Sequence, residues 1–169
     1  SGFWDEQGPR WQNTLSQVKN ALYEGGAEVV DPADIVTHAS IEWSPVLLYE
    51  FKAAMNAYLR RLGPGAPCRP LADLISFNSA NADQTLRYGQ VWLLRAEHET
   101  SGRMDEAVYL NARAEDLRLC RTEGIDATFE RHELDALVFP NASGSSIAAR
   151  AGYPSVAVPL GFVPAPKEN

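Results

Sequence analysis

The chain has 169 residues, of which 45% are hydrophobic and 22% are charged, and its formal net charge is -7. This composition is that of a folded globular protein with enough residues for one core. The acidic balance argues against a nucleic-acid groove, because phosphate binding needs a basic patch. The sequence has no apolar run long enough to span a membrane and no recognisable signal peptide. We therefore predict neither nucleic-acid nor membrane partners.

The first part of the chain predicts a helix that leads into a strand. Four apolar residues recur at helical spacing: Trp11, Leu15, Val18 and Leu22. Pro9 suits the first turn of this helix, and Gly25 or Gly26 suits its end. Ala27–Val30 follows as a short predicted strand, closed by Asp31-Pro32. A helix that runs directly into a strand is typical of an α/β fold.

The middle of the chain predicts helices. We expect them from Ser44-Pro45 to about Leu62, from Pro70 to Asn78, from Gln90 to Glu99, and from Met104 to Glu123 with a break at Gly124. Lys52 is expected on the solvated face of the first of these helices. Asp116 is expected to pair with Arg113, one turn earlier on the last helix.

The final part predicts two strands joined by a loop of small residues. Leu134–Phe139 is a short apolar run ended by Pro140, as in a buried strand. A loop follows at 142–146, then a helical turn at Ile147–Ala151 and a second predicted strand at Ser155–Leu160. We predict one partial domain covering residues 1–169.

Cysteine and histidine give no sign of a metal or cofactor. Cys68 and Cys120 lie far apart and have neither the spacing of a disulfide framework nor that of metal ligands. The three histidines, His38, His98 and His132, are widely separated. We predict a reduced, cytoplasmic chain that holds no metal ion and no cofactor.

Several segments, taken in order, resemble one family. The run Leu134–Pro140, a small-residue loop and then Ala151–Pro159 is similar to the later part of amidase-signature hydrolases. Other matching segments keep that family's order between about Trp11 and Phe162: Gly26–Asp31, Tyr49–Leu59, Leu71–Asn78 and Tyr88–Gln90. The resemblance implies an α/β fold, a mixed sheet flanked by helices, which is incomplete in this chain.

The same resemblance implies an activity and a missing site. Members of the family hydrolyse small-molecule amides through a serine nucleophile, with a second serine in a cis peptide that relays the proton to a lysine. The segments that carry these residues precede anything in this sequence, so we expect no catalytic residues here. The run Ser143-Gly144-Ser145-Ser146 imitates a nucleophile turn but lacks the flanking glycine pairs. The lysines Lys19, Lys52 and Lys167 are all expected to be solvated.

We expect the loop after the first C-terminal strand to touch substrate in the parent enzyme. Ligands of open α/β sheets bind beyond the carboxyl ends of strands, and the residues at that point are small and polar: Asn141, Ser143, Gly144 and Ser145. Small residues let the backbone approach a ligand closely, Gly144 can adopt conformations that other residues avoid, and Ser145 or Ser146 could cap the helical turn that follows. The alternative is that the loop is only a solvent-exposed connector.

Two functions from different classes stay open at this point. The chain is either a piece from the second half of an amidase, inactive alone, or a non-catalytic binding module derived from that fold. The gene upstream of Ser1 discriminates between them, since an in-frame serine signature indicates the enzyme and a start codon just before Ser1 indicates the module. In both cases, unpaired strands predict self-association or contact with a missing half.

Overall fold

The structure is a computed structural model that describes Phe3 and residues 11–160. The regular elements within these residues are helical. They are α1 (Gln12–Glu24), a 3₁₀ turn (His38–Ser40), α2 (Val46–Arg61), α3 (Leu71–Ala80), α4 (Ala82–Thr85), α5 (Val91–Glu99), α6 (Ala107–Asp116), a π-helical section (Leu117–Asp126), α7 (Ala127–His132) and α8 (Ser145–Ala151).

The predicted mixed sheet of an α/β fold is wrong for this chain, because Phe3 and residues 11–160 contain no strand. The three predicted strands, Ala27–Val30, Leu134–Phe139 and Ser155–Leu160, lie outside the helices as irregular segments. β-branched and apolar residues favour a pleated, half-buried surface, but a strand also needs a second backbone to accept and donate its hydrogen bonds. Among the described residues these segments have no such neighbour, so the local preference does not become a sheet.

The helices predicted for the middle of the chain are confirmed with small shifts at their ends. Helix α2 ends at Arg61, and Gly63 follows with a φ of 83°, in the left-handed region that favours glycine. Helices α3 and α5 occupy the two short segments predicted after it. Helix α1 also forms and is capped at its end by Gly25, whereas Pro9 lies outside the described residues.

The chain divides into two compact units, which we describe separately. One unit comprises residues 43–115, and the other comprises residues 1–42 with 116–169. In unit 43–115, three buried side chains from different helices form the core: Leu48, Leu71 and Ala96. In the other unit the core consists of Phe3, Ile35, Cys120, Ile125, Ile147 and Ala151. The single partial domain expected from the sequence stays a prediction.

Gly124 does not break its helix, contrary to the expectation from sequence. It lies buried inside the π-helical section, which continues directly into α7. A Cβ placed on Gly124 would overlap the carbonyl oxygen of Leu119 and lie 3.3 Å from Oγ1 of Thr37. The Thr37 hydroxyl donates to that same Leu119 carbonyl at 2.7 Å. Glycine is therefore required by close approach, and the wide π turn leaves a carbonyl that a side chain from outside the helix satisfies.

Lys52 is also placed differently from the expectation of a solvated side chain. Its side chain is only 14% exposed. Its Nζ donates to the carbonyl oxygens of Glu97 at 2.7 Å and Thr100 at 2.9 Å, at the end of α5. The last carbonyls of a helix have no partner within the helix, so a lysine from α2 satisfies them here.

Candidate functional site

The loop that was predicted to touch substrate is a tight turn between Phe139 and α8. Pro140, the residue just before it, is among the most deeply buried side chains of the described residues. The backbone N–H of Ser143 donates to the Pro140 carbonyl at 3.1 Å, and that of Ser145 donates to the Ala142 carbonyl at 3.0 Å. Asn141 lies between them with a φ of 52°, in the left-handed region that asparagine tolerates better than most residues. The turn is thus fixed by its own backbone.

The side chain of Asn141 is the part of this loop that is available for binding. It is exposed, and within the described part of the chain its amide makes no hydrogen bond. The hydroxyls of Ser143 and Ser145, in contrast, donate to the carbonyls of Pro140 and Ala142, both at 2.7 Å. These two serines therefore hold the turn, although their oxygens can still accept a hydrogen bond.

Gly144 is needed for a reason other than the one expected from sequence. Its φ of -82° is open to any residue, so conformational freedom is not what selects glycine here. A Cβ on Gly144 would instead lie 2.9 Å from Cβ of Phe139 and closer still to the ring carbon Cγ. The ring of Phe139 in turn meets Phe3 edge to face, with centroids 4.8 Å apart. Gly144 thus lets the loop close over an aromatic core.

The predicted serine cap of α8 is absent. Gly144 is the N-cap residue, no side chain bonds to the first turn, and Ser145 is already helical. Ser146 is exposed and, within the described residues, its hydroxyl has no partner. The end of α8 agrees with the prediction, since Gly152 follows Ala151 with a φ of 77°.

A buried ion pair that sequence reasoning missed anchors α8. The carboxylate of Asp116 is only 1% exposed, and its Oδ1 accepts from Nε of Arg150 at 2.9 Å and also from Nη2. Nη1 of the same arginine donates to the carbonyl of Glu42 at 2.9 Å. A buried carboxylate is costly unless it is paired and hydrogen-bonded, so this pair helps to fix the position of α8 and of the loop before it. The partners are 34 positions apart in the sequence, and no sequence pattern indicates a pair at that separation.

Tyr153 holds the other end of α8. Its hydroxyl donates to the carboxylate of Asp126 in the π-helical section, and its ring packs against Phe129 with centroids 5.8 Å apart. The hydrogen bond to a carboxylate stabilises the neutral phenol, which raises the pKa of Tyr153 above its usual value.

The same unit contains a cleft of about 520 Å³. Its walls are α1 and two irregular segments, residues 26–31 and residues 132–138. Leu15, Val18 and Leu22 of the predicted apolar stripe face this cleft. At its rim, Lys19 donates to Asp31, and this hydrogen bond lowers the pKa of that carboxyl group. The lining stops at Val138, so the loop 141–146 lies outside the cleft.

Comparison with known proteins decides the family. No protein-family model matches the sequence. A curated protein of Arabidopsis thaliana described as a probable amidase is 37% identical over 118 residues, which are 69% of this chain and 22% of that protein. The solved structure of the native peptide amidase from Stenotrophomonas maltophilia is 42% identical, with a TM-score of 0.58 over 70% of this chain and 26% of that one. A structure of the peptide amidase PAM in complex with the competitive inhibitor chymostatin is 39% identical, also with a TM-score of 0.58, over 70% of this chain and 27% of that one.

The chain belongs to the amidase-signature family. The match covers 22–27% of the length of these relatives. The identification made from the order of the short segments is therefore confirmed, even though no sheet forms in the described residues.

The described part of this amidase-signature chain brings no nucleophile and base together. A serine nucleophile must pass its proton to a nearby base, but the hydroxyls of Ser143 and Ser145 donate to backbone carbonyls. The ammonium of Lys52 is occupied by two carbonyls, and that of Lys19 by Asp31. Lys167 lies outside the described residues.

The described residues contain no cluster of His, Cys, Asp or Glu that could hold a metal ion. No helix in Phe3 and residues 11–160 is long and apolar enough to cross a membrane.

Proposed function

We propose that this chain is part of an amidase that hydrolyses the C–N bond of small carboxylic amides through a serine acyl-enzyme, and that the chain is inactive alone. The observation that carries the proposal is its identity of 37–42% to a probable amidase and to peptide amidases over about 70% of its length. The nucleophile and its base belong to the rest of such an enzyme. The residues described here provide scaffold and one wall of the pocket.

The proposed wall is the loop 141–146, with Asn141, Ser143, Gly144 and Ser145 as its substrate-binding residues. A side-chain amide offers both a donor and an acceptor, which match the C=O and N–H of an amide substrate. Asn141 presents such an amide on a turn fixed by backbone hydrogen bonds and by the packing of Gly144 on Phe139. Preorganisation of this backbone lowers the cost of ordering the loop around a ligand.

Two further features belong to the proposal. Cys68 and Cys120 are both buried and neither is in a disulfide, in keeping with a chain that works in the reducing cytoplasm. The three irregular segments that were predicted as strands expose apolar side chains, which favours self-association of the isolated chain or contact with the rest of the enzyme.

The absence of activity in the isolated chain is tested by labelling with a serine-reactive fluorophosphonate. We expect no stoichiometric labelling. Labelling at Ser143, Ser145 or Ser146 that disappears in the corresponding alanine variant would show that the loop itself is a nucleophile site, and the proposal would be wrong.

The role of the chain in a whole enzyme is tested by a chimaera. The matched stretch of the Stenotrophomonas maltophilia peptide amidase is replaced by the corresponding residues of this chain, and amide hydrolysis is measured. We expect a folded chimaera that retains hydrolysis and is inhibited by chymostatin. A folded chimaera that neither hydrolyses amides nor binds chymostatin would contradict the proposal.

A further inference from the structure

Arg150 bonds the two points at which the chain passes from one unit to the other. The chain leaves the unit of residues 1–42 and 116–169 after Glu42 and returns to it at Asp116. Nη1 of Arg150 donates to the Glu42 carbonyl at 2.9 Å, and Nε donates to Oδ1 of Asp116 at 2.9 Å. All three residues belong to the same unit. One guanidinium therefore joins the entry of unit 43–115 to its exit.

A second contact fastens the entering segment a few residues earlier. The hydroxyl of Thr37 donates to the carbonyl of Leu119 at 2.7 Å. Leu119 lies at the start of the π-helical section, three residues after Asp116. Residues 37–42, which we call the strap, are thus attached at both ends to one short stretch of helix. Between these attachments lie the 3₁₀ turn and Ile41, which packs against the core of this unit.

We propose that the strap closes the base of unit 43–115 and opens as a local element of its own, before either core unfolds. Residues 41–44 are irregular, so side-chain contacts and not a regular element hold the entry in place. The strap is also exposed at Ala39, Ser40 and Glu42. Exposed hydrogen bonds and few buried apolar groups are typical of segments that open locally. The proposal goes beyond amide hydrolysis and does not depend on it.

Both attachments need the residues that are present. The Glu42 carbonyl and the Asp116 carboxylate bind different N–H groups of one planar fork, and a compact ammonium cannot occupy both positions. At the other attachment, a Cβ on Gly124 would lie 3.3 Å from the Thr37 hydroxyl oxygen and would overlap the Leu119 carbonyl. Arg150 and Gly124 are therefore both explained by the strap.

Amide hydrogen exchange of the full chain, followed by NMR, reads the strap directly. The N–H groups of His38, Ser40 and Ile41 donate to carbonyls three residues earlier, at 2.9, 2.9 and 3.1 Å. Thr37→Val removes one attachment. Arg150→Lys weakens the other but keeps a positive charge beside Asp116, so the unit stays folded. We expect each variant to raise the exchange rate of the three amides by roughly tenfold, and the double variant to raise it further.

Two controls separate opening of the strap from general destabilisation. Arg118→Lys, in an exposed pair of the same π-helical section, should leave the three exchange rates unchanged. Amides of α3 and α5 should keep their wild-type rates in every variant. Because a local opening exposes little surface, exchange of the strap amides should also be insensitive to low concentrations of urea.

Two results would overturn the proposal. One is unchanged exchange of the strap amides in both Thr37→Val and Arg150→Lys. The other is faster exchange that spreads equally through the unit of residues 1–42 and 116–169 and rises with urea as global unfolding does. Neither result affects the proposed amidase role, which is tested separately by hydrolysis in the chimaera.

Discussion

Replacing Gly144 with alanine tests the packing that fixes the proposed pocket wall. The added Cβ would lie 2.9 Å from Cβ of Phe139 and nearer to the ring, in the neighbourhood of buried Phe3 and Ile147. These atoms belong to the root of the aromatic side chain and not to a flexible end, so the loop or the ring must move. Overpacking of this kind costs about 1–3 kcal/mol of the free energy of unfolding. For a chain of this length each kcal/mol shifts the thermal midpoint by roughly 2–4 °C, so we expect a fall of about 2–12 °C.

Thermal unfolding followed by circular dichroism measures this shift. Gly65→Ala is the matched control, because a Cβ at Gly65 meets no atom within 4 Å and its φ is not in the left-handed region. We expect that control to be neutral or slightly stabilised. In the double variant Gly144→Ala with Phe139→Ala, the loss of Cγ and Cδ2 should relieve most of the clash, so the two effects should not add. An unchanged midpoint for Gly144→Ala would refute the explanation of this glycine by close packing.

Two other expectations concern the anchors of α8. Arg150→Met removes the guanidinium that bonds the buried carboxylate of Asp116 and should cost about 3–5 kcal/mol in urea unfolding. Arg118→Met, in an exposed pair, should cost less than about 1 kcal/mol. Equal costs for both variants would contradict the burial argument. The hydrogen bond to Asp126 raises the pKa of Tyr153 in the folded state. The stability that this bond provides is fully present below the usual phenol pKa near 10, and it is lost as the pH rises through the higher pKa of the folded state. Tyr153→Phe should therefore weaken the alkaline loss of the thermal midpoint above about pH 10, and an unchanged alkaline profile would count against it.

The helices were predictable because their signals are local. The spacing of Leu48, Phe51 and Met55 predicts one buried face, and these residues do pack in the core of their unit. Gly63 and Gly152 are true helix ends, each with a positive φ. At such positions a few neighbouring residues determine the backbone geometry, so the sequence pattern predicts it.

The sheet and the anchors were not predictable because their causes are not local. Residues 134–139 have the composition of a buried strand, but pairing depends on a second backbone that composition cannot supply. Gly124 looks like a helix end, yet the contact of Thr37 with Leu119 explains why glycine lies inside the helix. The buried pair of Asp116 and Arg150 spans 34 residues, and no pattern of spacing indicates such a pair.

The candidate loop was located correctly as a turn between two segments, but its internal chemistry differs from the expectation. The sequence suggested polar serines facing a ligand, whereas Ser143 and Ser145 point their protons at the loop's own carbonyls. Small polar residues bond to nearby backbone groups as readily as to ligands, and composition does not separate the two uses. Asn141, with its exposed amide and left-handed backbone, is the residue on which the proposed substrate contact now depends.

Amide hydrolysis by the chimaeric peptide amidase with and without Asn141→Leu tests the central proposal most directly. The values of kcat/KM for a small amide and for a bulky amide are measured for both proteins, with Ala149→Leu on the exposed face of α8 as the control. If Asn141 contacts the amide group of the substrate, Asn141→Leu lowers both values by roughly tenfold, the loss of about one hydrogen bond, while Ala149→Leu leaves them unchanged. A folded Asn141→Leu chimaera with the parent's kcat/KM for both amides would contradict the account and leave the loop as a connector.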